Sequence, residues 1–265
     1  MKKICFLSLL ETHNEVCTRL DHTFEDDYYE KHRIEASAME RLTHSPHVID
    51  IYGFCGQSLF SELADGQSLG KLSNKSSSIE RLVIAIGVAE GLADVHEIDG
   101  KGNATLIHFD INPGNVISVD GRLKLNDFNI AVWRRWHQKE QKPCGVASHH
   151  PNPQWRSPEE VQNRSDLTEK VDVYSMGNIF YRLVCGKSPW GKLDGNPTKD
   201  EIHELKKKGE MPHVPHKVRH SSDPSVVAIR EAMYKCFTLE PDKRPSARSI
   251  ANGLRKAYDV IAMIQ

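Results

Sequence analysis

Apolar residues fall at helical spacing in the stretch EKHRIEASAMERL, where Ile34, Ala38, Met39 and Leu42 share one face and predict a helix over residues 30 to 42. Before it, Val16 to Leu20 alternates as a strand does. After it, His47 to Tyr52 is apolar and β-branched and Gln57 to Leu63 follows, predicting two further strands. Ser77 and Glu80 have capping-box spacing and open a helix that runs to about Glu97, with Leu82, Ile86, Ala89 and Leu92 turned inward. Ile98 to Thr105, rich in Gly, Lys and Asn, reads as a loop. Helices dominate the second half, over roughly 169 to 185, 199 to 208, 224 to 237 and 246 to 263, with Met211 to Asp223 as a connecting loop. There is no internal repeat or low-complexity tract.

Composition narrows the class more than it names one. A chain of 265 residues can bury a proper core as one large domain or two small ones. Lys and Arg total 35 against 36 Asp and Glu, a net charge of −1, so nothing points to nucleic acid or to a strongly charged partner. The six cysteines include no C-x-x-C pair, which predicts reduced thiols in an intracellular, cytoplasmic protein. His149 and His150 lie near Cys144, yet no His/Cys set has zinc-ligand spacing. The start, MKKICFLSLL, has the charged and apolar parts of a signal peptide, but its apolar run is seven residues long and no small-residue cleavage site follows; a strand is expected instead. No other stretch is long enough to cross a membrane.

The chemistry is concentrated in LIHFDINPGNVISVDGRLKLNDFNIAV, between Leu106 and Val132. Asp110 and Asn115 lie five residues apart on one loop. A hairpin is predicted next, from Asn115–Ser118 through a turn at Asp120-Gly121 to Arg122–Leu125, and it delivers Asp127 beside that loop. Two carboxylates and a carboxamide at these spacings suit metal ions and a phosphoryl group. Asp127 and Asn115 offer the hard oxygens that Mg²⁺ prefers. Taken singly, Asp, Asn, Pro and Gly are also ordinary turn residues.

This stretch resembles the catalytic and metal-binding loops of the eukaryotic protein kinases, H-R-D-x-x-x-x-N followed by D-F-G. Other landmarks follow in the family's order. Arg156-Ser157-Pro158-Glu159-Glu160 resembles the A-P-E segment, and Asp172 to Gly177 the start of a buried central helix. Cys185 to Trp190 and Glu240 to Pro245 resemble the segments after that helix and before the last one. The resemblance implies an α+β, bilobal fold with a small, partial β-rich N-lobe over residues 1–61, a hinge at 62–65 and a mainly helical C-lobe over 66–265. It implies that Asp110 orients the attacking hydroxyl and accepts its proton, that Asn115 and Asp127 hold Mg²⁺, and that ATP is the phosphoryl donor to a protein Ser/Thr, or less favourably Tyr, hydroxyl. By the same resemblance Arg19 stands where the family has its strand Lys, and Glu35 is its helix partner. Ser61 is the residue beside the adenine pocket, and Glu62, Leu63 and Ala64 form the hinge whose backbone would bond adenine. Glu159 and Arg244 are expected to pair.

The chain also departs from the family pattern. Too few residues precede Arg19 to hold the Gly-rich phosphate loop, implying a truncated N-lobe or a misplaced start. Arg19 keeps the charge of Lys but not its shape. Phe109 replaces the Arg of H-R-D, and Phe128 to Pro158 contains no Thr or Tyr and only Ser148 and Ser157. Asn112 stands where Ser/Thr kinases carry Lys, removing a cation near the moving phosphate, and Asn129 replaces the Gly of D-F-G, where its tolerance of left-handed angles would preserve the turn. These departures leave two alternatives to a working, if weak, protein kinase. One is a pseudokinase scaffold. The other is a small-molecule phosphotransferase, which does not account for Glu159, Asp172 and Arg244 together.

Overall fold

The computed structural model describes residues 15–17, 26–55, 58–64, 68–70, 76–102, 104–147, 152–191 and 197–264. Helix α1 (Asp26–Arg41) begins earlier than the apolar period alone predicts and buries Ala36, Ala38 and Met39, with Leu42 just beyond its end. It covers an antiparallel sheet of order β1-β3-β2, formed by β1 (Glu15–Cys17), β2 (Ile51–Cys55) and β3 (Ser58–Glu62). Val16 pairs with Ser61 and Phe54 with Leu59, and the β2–β3 ladder shifts register between Ile51 and Gly53. The strand expected at His47 to Tyr52 therefore starts four residues late. His47 to Asp50 instead approaches Leu125, whose N–H donates to His47 C=O at 2.8 Å while Ile49 N–H donates to Leu125 C=O at 2.9 Å. Cys55 is disulfide-bonded, against the expectation of reduced thiols, whereas Cys144, Cys185 and Cys236 are free.

The larger, helical part is built around α2 (Ser78–His96), α4 (Lys170–Cys185), α7 (Pro224–Cys236) and α8 (Ala247–Ala262). The Ser77/Glu80 capping box forms at the start of α2 as its sequence requires. Helix α8 lies along α2, and α4 packs on both α2 and α7. Helix α4 is buried from Val171 to Tyr181, which is why its sequence is apolar nearly all round. Its approach to α7 is close: a Cβ on Gly177 would lie 2.7 Å from Cys236 Cβ and 3.0 Å from the Phe237 ring. At its end Gly186 takes the left-handed angle of a C-cap, φ 69°. The connecting loop after Met211 contains a short helix, α6 (His216–Arg219), that its composition did not suggest; α5 (Lys199–Lys207) precedes it.

Three small antiparallel pairs lie between these layers. Strands β4 (Leu106–Ile107) and β7 (Val132–Trp133) pair at the two ends of the stretch that bears Asp110 and Asp127, and β5 (Val116–Val119) with β6 (Arg122–Leu125) forms the predicted hairpin. Its turn uses Asp120 and Gly121 at φ 49° and 73°, the doubly left-handed form that an Asp-Gly pair favours. A further pair, β8 (Trp136–His137) with β9 (Lys142–Pro143), leads towards the short helix α3 (Pro158–Val161). Among the described residues no helix is long and apolar enough to cross a membrane.

Candidate active site

The loop that bears Asp110 is held from below by one buried carboxylate. Asp172, in the first turn of α4, accepts from the N–H groups of His108 and Phe109 at 2.8 Å each and lies 3.0 Å from His96 Nε2. That anchorage sustains a costly backbone: Phe109 has φ 61°, a left-handed angle unusual for a bulky side chain. His108 is fully buried. Its Nδ1 lies 3.2 Å from Asp110 N–H, so the proton belongs on Nε2, which reaches Asn126 C=O at 3.2 Å. One imidazole thus bridges the two halves of the motif.

Beyond it the loop closes on its own side chains. Asn115 Nδ2 donates to Asp110 Oδ2 at 2.8 Å and to Asp110 C=O at 3.0 Å, and no described donor reaches its Oδ1. Asn112 Oδ1 accepts from Gly114 N–H at 2.7 Å and its Nδ2 donates to Asp110 C=O at 3.1 Å, so this side chain serves the turn. Asn126 N–H donates to Asn115 C=O at 2.9 Å and brings the next residue, Asp127, alongside. The left-handed residue of this second loop is Asp127 itself, φ 67°, and not Asn129 as the replaced glycine suggested.

The electrostatics are those of crowded carboxyls. Burial raises Asp127, and the neighbouring Asp110 raises it further, while His108 and the N–H of Asn129 oppose the shift. Glu35, from α1, is pushed up to about 7 by burial and by Asp127, against the N–H of Phe128. Asp127 is thus within electrostatic reach of Asp110 on one side and of Glu35 on the other. Among the described residues no three His, Cys, Asp or Glu side chains form a ready-made metal cluster, so a divalent cation such as Mg²⁺ would rest on the hard oxygens of Asp127 and Asn115.

The opposite wall comes from the segment before α3. Arg156 Nη2 donates to Asp110 Oδ1 at 2.8 Å. Glu159, in α3, pairs in two-pronged fashion with Arg244 at 2.5 and 2.9 Å, and both are buried, as expected. Lys206, wholly buried in α5, donates to Arg156 C=O and lies 5.2 Å from the Tyr174 ring centre; burial depresses its pKa to about 7.

A family model for the protein kinase domain matches residues 15–253. The chain belongs to the protein kinase family. Among curated proteins it is 30% identical over 83% of its length to the serine/threonine-protein kinase CTR1 of Arabidopsis thaliana, covering 26% of that protein. It is 27% identical over 82% of its length to mitogen-activated protein kinase kinase kinase 7 of Mus musculus, covering 35% of it, and 25% identical over 73% to mitogen-activated protein kinase kinase kinase mkh1 of Cytospora mali, covering 10%. The chain thus spans a minor part of the curated relatives it matches.

In this kinase fold Glu62 ends β3, and its backbone N–H donates to Asp50 C=O at 3.0 Å. Its side chain is engaged by Lys124 Nζ, 2.7 Å from each oxygen, and by Asp50 N–H at 3.0 Å, while its C=O accepts from Ser61 Oγ at 3.4 Å. Ala64 follows it, exposed. Arg19 lies outside the described residues. Glu35 stands beside Asp127 and 3.6 Å from His32 Nδ1. Sequence reasoning missed Arg156, Lys124 and the anchoring role of Asp172. Only Asp172 carried a usable signal, an acidic residue opening an otherwise apolar helix.

Proposed function

We propose that this chain is the catalytic domain of a serine/threonine protein kinase that transfers the γ-phosphoryl group of Mg·ATP to protein hydroxyls. The observation that carries this reading is Asn115: its amide nitrogen is tied to the Asp110 carboxylate, no described donor takes its amide oxygen, and its main-chain carbonyl bonds Asn126, the neighbour of Asp127. Mg²⁺ held by Asn115 Oδ1 and the Asp127 carboxylate would offset the phosphate charge. Asp110 would orient the attacking hydroxyl and take its proton. The Glu62 carbonyl and the Ala64 backbone would bond adenine, with Arg19 and Glu35 on the phosphate side, within the N-lobe, hinge and C-lobe division at 1–61, 62–65 and 66–265.

Arg19, Asn112 and Asn129 support the alternative of a pseudokinase scaffold. Two measurements separate the readings. Mg·ATP is expected to raise the unfolding temperature of the wild type, with the rise lost in Asp127→Asn, because a ligand stabilises only through the site it binds. Phosphotransfer to a generic protein substrate is expected to fall at least about 100-fold in Asp110→Asn. A thermal shift that survives Asp127→Asn refutes the metal assignment, and a bound nucleotide without any phosphotransfer establishes the scaffold.

A further inference from the structure

The strip Gln154 to Ser157 is fixed residue by residue. Gln154 Nε2 donates to the carbonyls of Pro189 at 2.9 Å and Gly191 at 2.7 Å. Trp155 C=O accepts from Ser175 Oγ at 2.7 Å and Asn178 Nδ2 at 3.0 Å. Arg156 C=O accepts from the buried Lys206, and Ser157 caps α3. The Arg156 side chain therefore leaves an immobilised backbone, which is the support a preorganised group needs.

What that side chain does is only partly accounted for by the protein. A guanidinium offers five N–H donors. Arg156 uses one, to Asp110 Oδ1, and its Nε is buried with no acceptor. A buried donor without a partner is costly, and because the guanidinium already touches the proposed base through Nη2, an acceptor that arrives with the substrate would find its other N–H groups uncommitted. On the loop itself, Asn112 carries no charge and is occupied by the turn, bonding the Asp110 C=O and the Gly114 N–H.

We infer that Arg156 supplies, from the segment before α3, the cation that the catalytic loop lacks at Asn112, with its guanidinium beside the γ-phosphoryl group of ATP. This rests on the phosphotransfer reading above. In the transfer, the bond from the γ-phosphorus to the ADP oxygen breaks and one to the substrate oxygen forms. The hydroxyl proton passes to Asp110, and Arg156, protonated throughout, faces the charge on the phosphoryl oxygens.

The test compares the affinities for Mg·ATP and Mg·ADP by calorimetry, which needs no turnover. Arg156→Gln is expected to lower the preference for ATP over ADP about tenfold and kcat about 100-fold. Adding Asn112→Lys is expected to recover much of both, since the charge returns from the other loop, and Arg156→Lys is expected to keep the preference within about threefold. A structural role would show no such rescue. Should Arg156→Gln not fold, the wild type suffices: the Arg156 Nε–H NMR signal, assigned by its absence in Arg156→Lys, is expected to move with a non-hydrolysable Mg·ATP analogue and not with Mg·ADP. An unchanged preference in folded Arg156→Gln, failure of Asn112→Lys to restore any of the loss, or equal movement of the signal with both nucleotides overturns the inference. Absence of binding to either nucleotide by the wild type overturns the phosphotransfer reading itself.

Discussion

Removing Arg244 is expected to be among the most damaging single changes available in the helical part of the chain. All five of its donors have acceptors: Nε bonds Thr238 C=O at 2.6 Å, Nη1 bonds Glu159 and Lys170 C=O at 2.5 and 2.9 Å, and Nη2 bonds Glu159 and Leu239 C=O at 2.9 and 3.0 Å. Its side chain has no exposed surface, and that of Glu159 is 4% exposed. Arg244→Ala strands a buried carboxylate and takes the guanidinium from three carbonyls, so a loss of about 3–5 kcal/mol is expected. Glu159→Ala leaves the guanidinium its three carbonyl partners and should cost less, about 3 kcal/mol. Because each single change already breaks the pair, the double variant should fall well short of their sum, with a coupling of about 2 kcal/mol or more. Urea unfolding followed by tryptophan fluorescence at one pH measures all three. Two additive losses, each under about 1 kcal/mol, would mean that the pair behaves as solvated surface charges and would refute the reasoning.

Asp172→Asn is expected to cost about 3 kcal/mol and to disturb the catalytic loop, because an amide cannot accept from His108 N–H, Phe109 N–H and His96 together; an undiminished unfolding midpoint would refute this. Gly177→Ala is expected to destabilise by about 1–3 kcal/mol, since the new methyl meets Cys236 and Phe237, and a stabilised variant would show that α7 yields without cost. Glu160, a buried residue, is pushed up to about 7 by desolvation, so its protonated form favours folding: the contribution is complete below about pH 4.5 and lost as pH rises through about 7. Relative to Glu160→Gln, the wild type should therefore lose up to about 3 kcal/mol across that window, whereas a pH-independent difference would deny the shift.

The long helices were legible because their determinants are local. The Ser77/Glu80 box sits where α2 begins, and the apolar run from Val171 announces a helix buried on all sides. Asp120-Gly121 likewise encodes its own turn. The misplaced start of β2 has a different origin: His47 C=O and Ile49 N–H bond the backbone of Leu125, a partner that no local pattern names. Asp110, Asn115 and Asp127 could be read because one loop and one hairpin bring them together. Arg156 could not, since 46 residues separate it from Asp110 and only the fixed strip before α3 brings it there. The left-handed angle fell on Asp127 because either residue tolerates it and the surrounding anchors chose.

The segment after β7 takes its shape from permanent side chains. Arg134 bonds Glu169 at 3.0 Å and Cys144 C=O at 3.3 Å, β8 pairs with β9, and Val146 pairs with Leu167, in a stretch from Phe128 to Pro158 that contains neither Thr nor Tyr. The entropy of ordering residues 134 to 147 is therefore met by bonds that no phosphatase can remove. Such a segment keeps no erasable record of an upstream threonine or tyrosine kinase, and the hydroxyl side chains of the whole stretch from Phe128 to Pro158 are those of Ser148 and Ser157.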